Sequence, residues 1–238
     1  MKRLINLPEE GKAIIVGDTH GDFNATRLIV KNYSRKDYYI IFLGDYVDRG
    51  RFSRENIDYL LEMRKKYPRI ILLAGNHEMY SICPVTPDNF WKSLTAEESN
   101  HYSEIFRAFP IVVSGNGFIA LHGGLPDIEK IEDVEKITEN DENWIKILWG
   151  DFRDKEGEIL GNLCGRIKLG RDYFFRIMDN IKKNVLIRSH DPVAPERMYE
   201  NRCLTLFTSE SYGSGREIAL INLDKEIKTI DDIEIIRF

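Results

Sequence analysis

The chain has 238 residues, of which 42% are hydrophobic and 31% charged, with 34 basic against 39 acidic side chains and a net charge of -5. That balance belongs to a globular chain with a buried core and excludes global disorder, a collagen repeat or a coiled coil. The slight acidity gives no overall reason to bind nucleic acid or an anionic membrane; no apolar run reaches about 18 residues, and the start MKRLINLPEEGK lacks the apolar stretch of a secretory signal, so a cytoplasmic location is expected.

Residues 12–16 (KAIIV) read as a buried strand ending in Gly17-Asp18-Thr19-His20-Gly21, with Asp22 as N-cap of a helix carrying Phe23, Leu28 and Ile29 as apolar positions. Residues 38–43 (YYIIFL) read as a second strand, running into Gly44-Asp45-Tyr46-Val47-Asp48-Arg49-Gly50. Ser53 is expected to cap a helix through about Lys66, with Ile57, Leu60, Leu61 and Arg64 giving one apolar face and a charged flank. The third strand, 70–73 (IILL), ends at Ala74-Gly75-Asn76-His77-Glu78. Residues 81–109 are less regular, with Pro84, Pro87 and a helical stretch of about 89–108 suited to a lid or side wall.

After Pro110, 111–114 and 118–121 read as a hairpin around Asn116-Gly117, leading to His122-Gly123-Gly124. The stretch 126–160 is acidic and helical or looped, and 171–183 is a helix. Short strands are expected at 185–188, 203–207, 217–222 and 226–230. Glycine and proline form no linker-like cluster and no repeat is evident, so residues 1–238 read as one domain. Cys83, Cys164 and Cys203 are odd in number, have no CxxC pair, and are expected to pack rather than to cross-link or hold zinc. Glutamine is absent while lysine and glutamate are abundant, a bias reported for hyperthermophile proteins, so a heat-adapted source is expected.

Three successive apolar strands thus end in a glycine followed by Asp or Asn, which brings polar side chains to the carboxyl ends of adjacent parallel strands, where open α/β sheets bind ligands. His20, His77, His122 and His190 each follow an expected strand, accompanied by Asp18, Asp45, Asp48 and Asn76. Phosphate ester hydrolysis needs neutralised phosphoryl oxygens and a hydroxide near pH 7, and two divalent metals about 3.5–4 Å apart supply both. Asp18 and His20, two residues apart, can chelate one ion from a single turn. Asn76 offers a neutral amide oxygen, His122 and His190 can complete a second site, and Asp45 is best placed to bridge.

The succession GDTHGD, GDYVDRG, GNHE and HGGL resembles the PPP family of serine/threonine protein phosphatases, within the calcineurin-like metallophosphoesterases. ILWGD near Trp149, RSH at 188–190 and TLFTSESYG at 205–213 fall in the order and rough spacing of that family, so the resemblance covers essentially the whole chain. It implies an α/β metallophosphoesterase fold: a central β-sandwich of mixed sheets flanked by helices, with a dimetal site at strand carboxyl ends. It further implies that Asp18, His20 and Asp45 bind one metal and that Asp45, Asn76, His122 and His190 bind the other. The ions are expected to be divalent, manganese first, with iron or zinc as alternatives.

In the same resemblance His77, paired with Asp48, protonates the leaving alkoxide, and Arg49 clamps phosphoryl oxygens. A metal-bridging hydroxide attacks directly in line, without a covalent phosphoenzyme. Arg166 is the best match for a second phosphate-binding arginine, ahead of Arg171, beside an apparent deletion. Tyr212 aligns with the aromatic that overhangs the family's active site. Two departures stand out: Ala74 replaces the arginine that often precedes the GNHE glycine, and Gly213 replaces the cysteine after the overhanging tyrosine. The implied partners are phosphoprotein substrates; oligomeric state has no signature in the sequence. Hydrolysis of dinucleoside polyphosphates or other small phosphoesters is the alternative. That branch commonly loses the aspartate before the arginine and ends its third motif in Asp, whereas Asp48 and Glu78 are both present here. A catalytically silent protein-binding module is disfavoured because every expected ligand type is retained. No GxxxxGK loop follows a strand, no GxGxxG follows the first strand, and no GxSxG elbow is present, which argues against P-loop, Rossmann and serine-hydrolase chemistry.

Overall fold

Strands built from unbroken apolar runs must be covered on both faces. In the computed structural model, which describes residues 2–35, 38–163, 165–213 and 215–238, the chain begins with β1 (Leu4–Asn6), β2 (Lys12–Val16), α1 (Phe23–Tyr33), β3 (Tyr38–Phe42), α2 (Ser53–Lys66) and β4 (Ile70–Leu72). There follow α3 (Asn89–Lys92), α4 (Ala96–Arg107), β5 (Val112–Gly115), β6 (Phe118–Leu121), α5 (Glu142–Trp149), β7 (Asp151–Phe152), β8 (Ile159–Leu163) and β9 (Arg166–Leu169). The last elements are α6 (Arg171–Asn180), β10 (Val185–Arg188), β11 (Arg197–Met198), β12 (Cys203–Thr205), β13 (Glu217–Asn222) and β14 (Glu234–Arg237).

Two mixed sheets form a sandwich. One has the order β14-β13-β2-β3-β4, with β2, β3 and β4 parallel and β13 antiparallel to β2; the other has the order β1-β5-β6-β10-β12-β11. A small third sheet, β7-β9-β8, lies apart from these two. Alternate residues of each strand face opposite ways. Ala13, Ile15, Ile41 and Leu43 from the first sheet accordingly share one cluster with Val113, Ala120, Val185, Ile187 and Leu204 from the second, forming the layer between the sheets. Their neighbours Ile14, Val16, Ile40 and Phe42 turn outward into a second cluster with Ile29 and Val30 of α1 and Ile57 and Leu60 of α2. On the other sheet Ile119, Leu121 and Leu186 belong to that cluster together with Trp144 and Ile147 of α5 and Phe174 and Ile177 of α6. This is the α/β sandwich flanked by helices that the motifs imply.

Asp22 caps α1 as expected, accepting from Ala25 N at 3.1 Å, whereas Leu28 is 44% exposed rather than part of the apolar face. Ser53 is the first residue of α2, not its cap: Phe52 occupies the cap position without a side-chain bond, and Ser53 Oγ donates to Gly50 O. The expected helix over 89–108 is two helices, because Thr95 and Glu98 form a capping box that starts α4 afresh. The strand expected at 226–230 is absent. Ile227 and Ile230 plug the inter-sheet core, Thr229 and Asp232 form a capping box around a 3-10 turn at 230–232, and the edge strand comes later as β14. Short β1, β11 and the β8–β9 hairpin carry too little periodicity to be read in advance. Cys203 is buried and Cys83 half-buried; Cys164 lies outside the described residues. No helix of the described residues is long and apolar enough to cross a membrane.

Candidate active site

The parallel strands β2, β3 and β4 deliver three loops side by side, and the second sheet adds the ends of β6 and β10. The loops turn so sharply that His20, Asp45, Asp48, Arg49 and His190 all adopt left-handed backbone, with φ between 40° and 72°. Each such residue costs on the order of 1–3 kcal/mol, strain that clusters at functional sites and is held by its surroundings. Glu78 is one of the groups that hold it: its buried carboxylate accepts from Asp45 N (2.7 Å), Tyr46 N (2.8 Å) and Gly75 N (2.9 Å), tying the loops after β3 and β4 together. Gly44 (φ 109°) and Gly75 let these two loops touch, since a Cβ on Gly44 would fall on the Gly75 backbone and one on Gly75 would fall on Asp45.

Seven of the expected residues converge, five of them in two groups that share Asp45. His20, Asp45 and His77 form one, and Asp45, His122 and His190 the other; within each, one ligand atom per residue lies within 4.8 Å of the others. Asp45 turns Oδ2 toward His20 Nε2 (3.4 Å) and Oδ1 toward His122 Nε2 (3.5 Å), one oxygen to each side. Asn76 Oδ1 is 3.0 Å from both His122 Nε2 and His190 Nδ1. Asp18 Oδ1 lies 3.6 Å from His122 Nδ1, and Asp18 Oδ2 lies 3.9 Å from His20 Nε2.

The protonation pattern suits cations. His20 Nδ1 pairs with Val47 O at 2.8 Å and His122 Nδ1 with Leu43 O at 3.0 Å, which places the ring protons there and leaves both Nε2 atoms as bare acceptors aimed at the cluster. Burial, with neighbouring positive groups, holds His20 and His190 well below the ordinary imidazole range; burial likewise brings His122 down to about 4 despite Asp18. Burial pushes Asp45 well above the usual carboxylate range against the pull of His77, with Asp18 and Glu78 adding to the upward push. Asp18 Oδ1 and His20 Nε2 are buried and without a hydrogen-bond partner. Neutral imidazoles, crowded carboxylates and orphaned acceptors together fit two divalent cations.

His77 stands differently. Its Nδ1 is 2.7 Å from Asp48 Oδ2, while Nε2 lies 4.0 Å from Asp45 Oδ2. Burial opposes charge on this ring, but Asp45 and Asp48 outweigh it and raise His77 above its ordinary value. Asp48 thus pairs with His77, and its other oxygen accepts from Phe90 N at 2.8 Å. The irregular segment 84–95 serves as a side wall: Trp91 Nε1 donates to His77 O, and Asn89 Oδ1 accepts from Arg49 N.

Arg49 is exposed, with its guanidinium 5.1 Å from the centre of the Tyr212 ring. Tyr212 donates its hydroxyl to Asp18 Oδ2 at 2.6 Å, which sets its ring beside the cluster, 5.7 Å from the His20 ring by centroids, and commits its polar end to a carboxylate. Arg166 makes a fork of two bonds to buried Asp151 (2.9 and 2.6 Å), and Asp151 Oδ1 lies 3.7 Å from His190 Nε2, which sets Arg166 at the rim of the cluster. Arg171 instead pairs with Asp154 and Glu200 at the surface. Sequence reading assigned no role to Glu78, Asn89, Asp151 or Asp191, which holds Arg153. Glu78 and Asp151 stand inside GNHE and ILWGD, a usable signal; Asn89 sits in an irregular stretch and offers none.

The family profile described as calcineurin-like phosphoesterase matches residues 11–194. The chain is 28% identical to a protein phosphatase 2A catalytic subunit of Dictyostelium discoideum over 90% of its own length and 74% of the relative's. It is 30% identical to serine/threonine-protein phosphatase 5 of Homo sapiens over 87% of its own length and 44% of the relative's, and it spans about half the length of several such curated relatives. A solved protein serine/threonine phosphatase from Saccharomyces cerevisiae superposes with a TM-score of 0.83 at 20% identity, covering all of this chain and 84% of that one. The chain belongs to the calcineurin-like phosphoesterase family, and its likeness within that family is to the PPP-type serine/threonine phosphatases.

Proposed function

We propose that the chain is a dimetal-dependent phosphomonoesterase acting on phosphoserine and phosphothreonine in proteins, with residues 1–238 as its catalytic domain. The observation that carries this reading is Asp45, with one carboxylate oxygen facing neutral His20 and the other facing neutral His122, beside a His77 whose Nδ1 is tied to Asp48. Asp18, His20 and Asp45 would hold one ion, and Asp45, Asn76, His122 and His190 the other. Two divalent ions, manganese first, with iron or zinc as alternatives, would supply charge neutralisation and a nucleophilic water near neutral pH.

The remaining steps belong to side chains of this chain. Arg49, exposed and held by its backbone and the Tyr212 ring, would offer its guanidinium N–H groups to phosphoryl oxygens. Arg166 spends Nε and Nη2 on Asp151 and keeps its other donors for the substrate. Tyr212 would meet substrate through its ring, because its hydroxyl is engaged. As the bond from phosphorus to the serine or threonine oxygen breaks, His77 Nε2–H gives its proton to that oxygen, while Nδ1–H stays on Asp48 and offsets the positive ring. Phosphate release from phosphoserine and phosphothreonine peptides by the Mn²⁺-loaded protein tests the reading. Release is expected from the wild type and not from Asp45→Asn; equal release by both would overturn it.

A further inference from the structure

Asp22 does more than cap α1. Its buried carboxylate accepts four hydrogen bonds: Oδ1 from Ala25 N (3.1 Å) and Arg216 Nη2 (3.1 Å), and Oδ2 from Glu210 N (3.0 Å) and Arg216 Nε (2.7 Å). Arg216 Nη2 also donates to Glu210 Oε2 at 2.9 Å. Asp22 thereby grips the polypeptide on both sides of Tyr212, at Glu210 and at Arg216. Tyr212 reaches from this grip to Asp18 Oδ2 with its hydroxyl, lies 4.5 Å from the Phe207 ring by centroids, and carries the Arg49 guanidinium over its face. Independent backbone bonds hold the base of the segment, Thr208 N to Asp18 O at 3.2 Å among them, so the Asp22–Arg216 pair acts on the tip that bears Tyr212.

We infer that Asp22 and Arg216 are positioning residues for the candidate metal centre: by fixing the tip of this segment they keep the Tyr212 hydroxyl on Asp18 Oδ2 and so orient Asp18 Oδ1 toward a divalent cation. The inference rests on the proposed reading of Asp18 as a ligand. Groups that hydrogen-bond to a ligand fix its orientation, and losing one typically lowers metal affinity about 10–100-fold. Among the described residues Arg216 has no hydrogen bond or ion pair with Asp18 or another candidate ligand; its bonds go to Asp22 and Glu210, so an effect carried by Tyr212 is told from one carried by the Asp22 backbone through the double variant.

The test is titration of the metal-free full chain with Mn²⁺, followed by the electron paramagnetic resonance signal of free Mn²⁺, for wild type, Tyr212→Phe, Arg216→Met and the double variant. Tyr212→Phe is expected to weaken the first site about tenfold. Arg216→Met should weaken it by a comparable factor, and the double variant should be no weaker than Tyr212→Phe within about twofold, the mark of two residues acting through one contact. Asp22→Asn, which keeps an oxygen for Ala25 N and so retains the helix cap, should behave as Arg216→Met does, and Arg216→Lys should recover part of the affinity. Wild-type affinity in Arg216→Met, or an equal further loss when Arg216→Met is added to Tyr212→Phe, would overturn the inference while leaving the metal site standing. Absence of Mn²⁺ binding by the wild type would overturn both.

Discussion

Asp48→Asn separates an acid from a ligand at His77. The carboxylate receives two bonds, 2.7 Å from His77 Nδ1 and 2.8 Å from Phe90 N. An asparagine that keeps its carbonyl on Phe90 N turns its amide N–H toward His77 Nδ1, donor against donor, and the positive ring loses its counter-charge. A hydrogen bond to a charged group is worth about 1.5–3 kcal/mol. At 1.36 kcal/mol per decade, that predicts a fall of about 10- to 150-fold in turnover of a phosphoserine peptide. His77→Asn removes the acid itself and should cost about 10²–10⁴. A p-nitrophenyl ester, whose leaving group departs without a proton, should lose far less in both variants, with Mn²⁺ stoichiometry unchanged. Equal losses on the two esters would refute the acid assignment. So would release of one Mn²⁺ equivalent from His77→Asn, since His77 also lies in the cluster with His20 and Asp45.

Asp45→Asn should weaken both metal sites together in an Mn²⁺ titration, because each oxygen faces a different histidine group; full retention of one site would deny it a bridging role. Gly44→Ala should lower the melting temperature by several degrees, since its left-handed φ of 109° alone carries about 1–2 kcal/mol for an L-residue and the added methyl meets the Gly75 backbone. Metal removal by a chelator should lower the melting temperature in proportion to bound affinity, about 2.7 kcal/mol at a free ion concentration 100 times Kd, with calorimetry as the check. If the glutamine-free composition reflects heat adaptation, the metal-loaded chain should melt above about 60 °C; a lower value, inside the mesophile range, would attribute the bias to something else.

The parts of the fold legible in the sequence were those in which one physical demand dominated. KAIIV, YYIIF and IIL had to be strands covered on both faces, and their glycine-led polar endings had to gather at one edge, which is how Asp18, Asp45 and Asn76 came together. The candidate site followed from residue types: His20, His122 and His190 at strand ends lie beside aspartates, and burial holds all three below the ordinary imidazole range, as a metal ligand requires. What escaped was set by contacts between distant segments. Residues 226–230 have strand-like composition, but the gap between the sheets needed Ile227 and Ile230 as a plug more than it needed another strand. Asn89 supports Arg49 across 40 residues, and Arg216 reaches Asp22 across 194; neither pairing leaves a local trace. Arg166 is singled out by its place in the order of motifs, whereas its pairing with Asp151 becomes visible only with β7 and β9 side by side.

The central claim, a dimetal phosphatase of phosphoserine and phosphothreonine in proteins, is tested most directly by one ratio: kcat/KM for a phosphothreonine peptide over kcat/KM for a dinucleoside tetraphosphate, both measured with Mn²⁺. A ratio far above one is predicted. A ratio far below one would contradict it and assign the same metal centre to nucleotide hydrolysis.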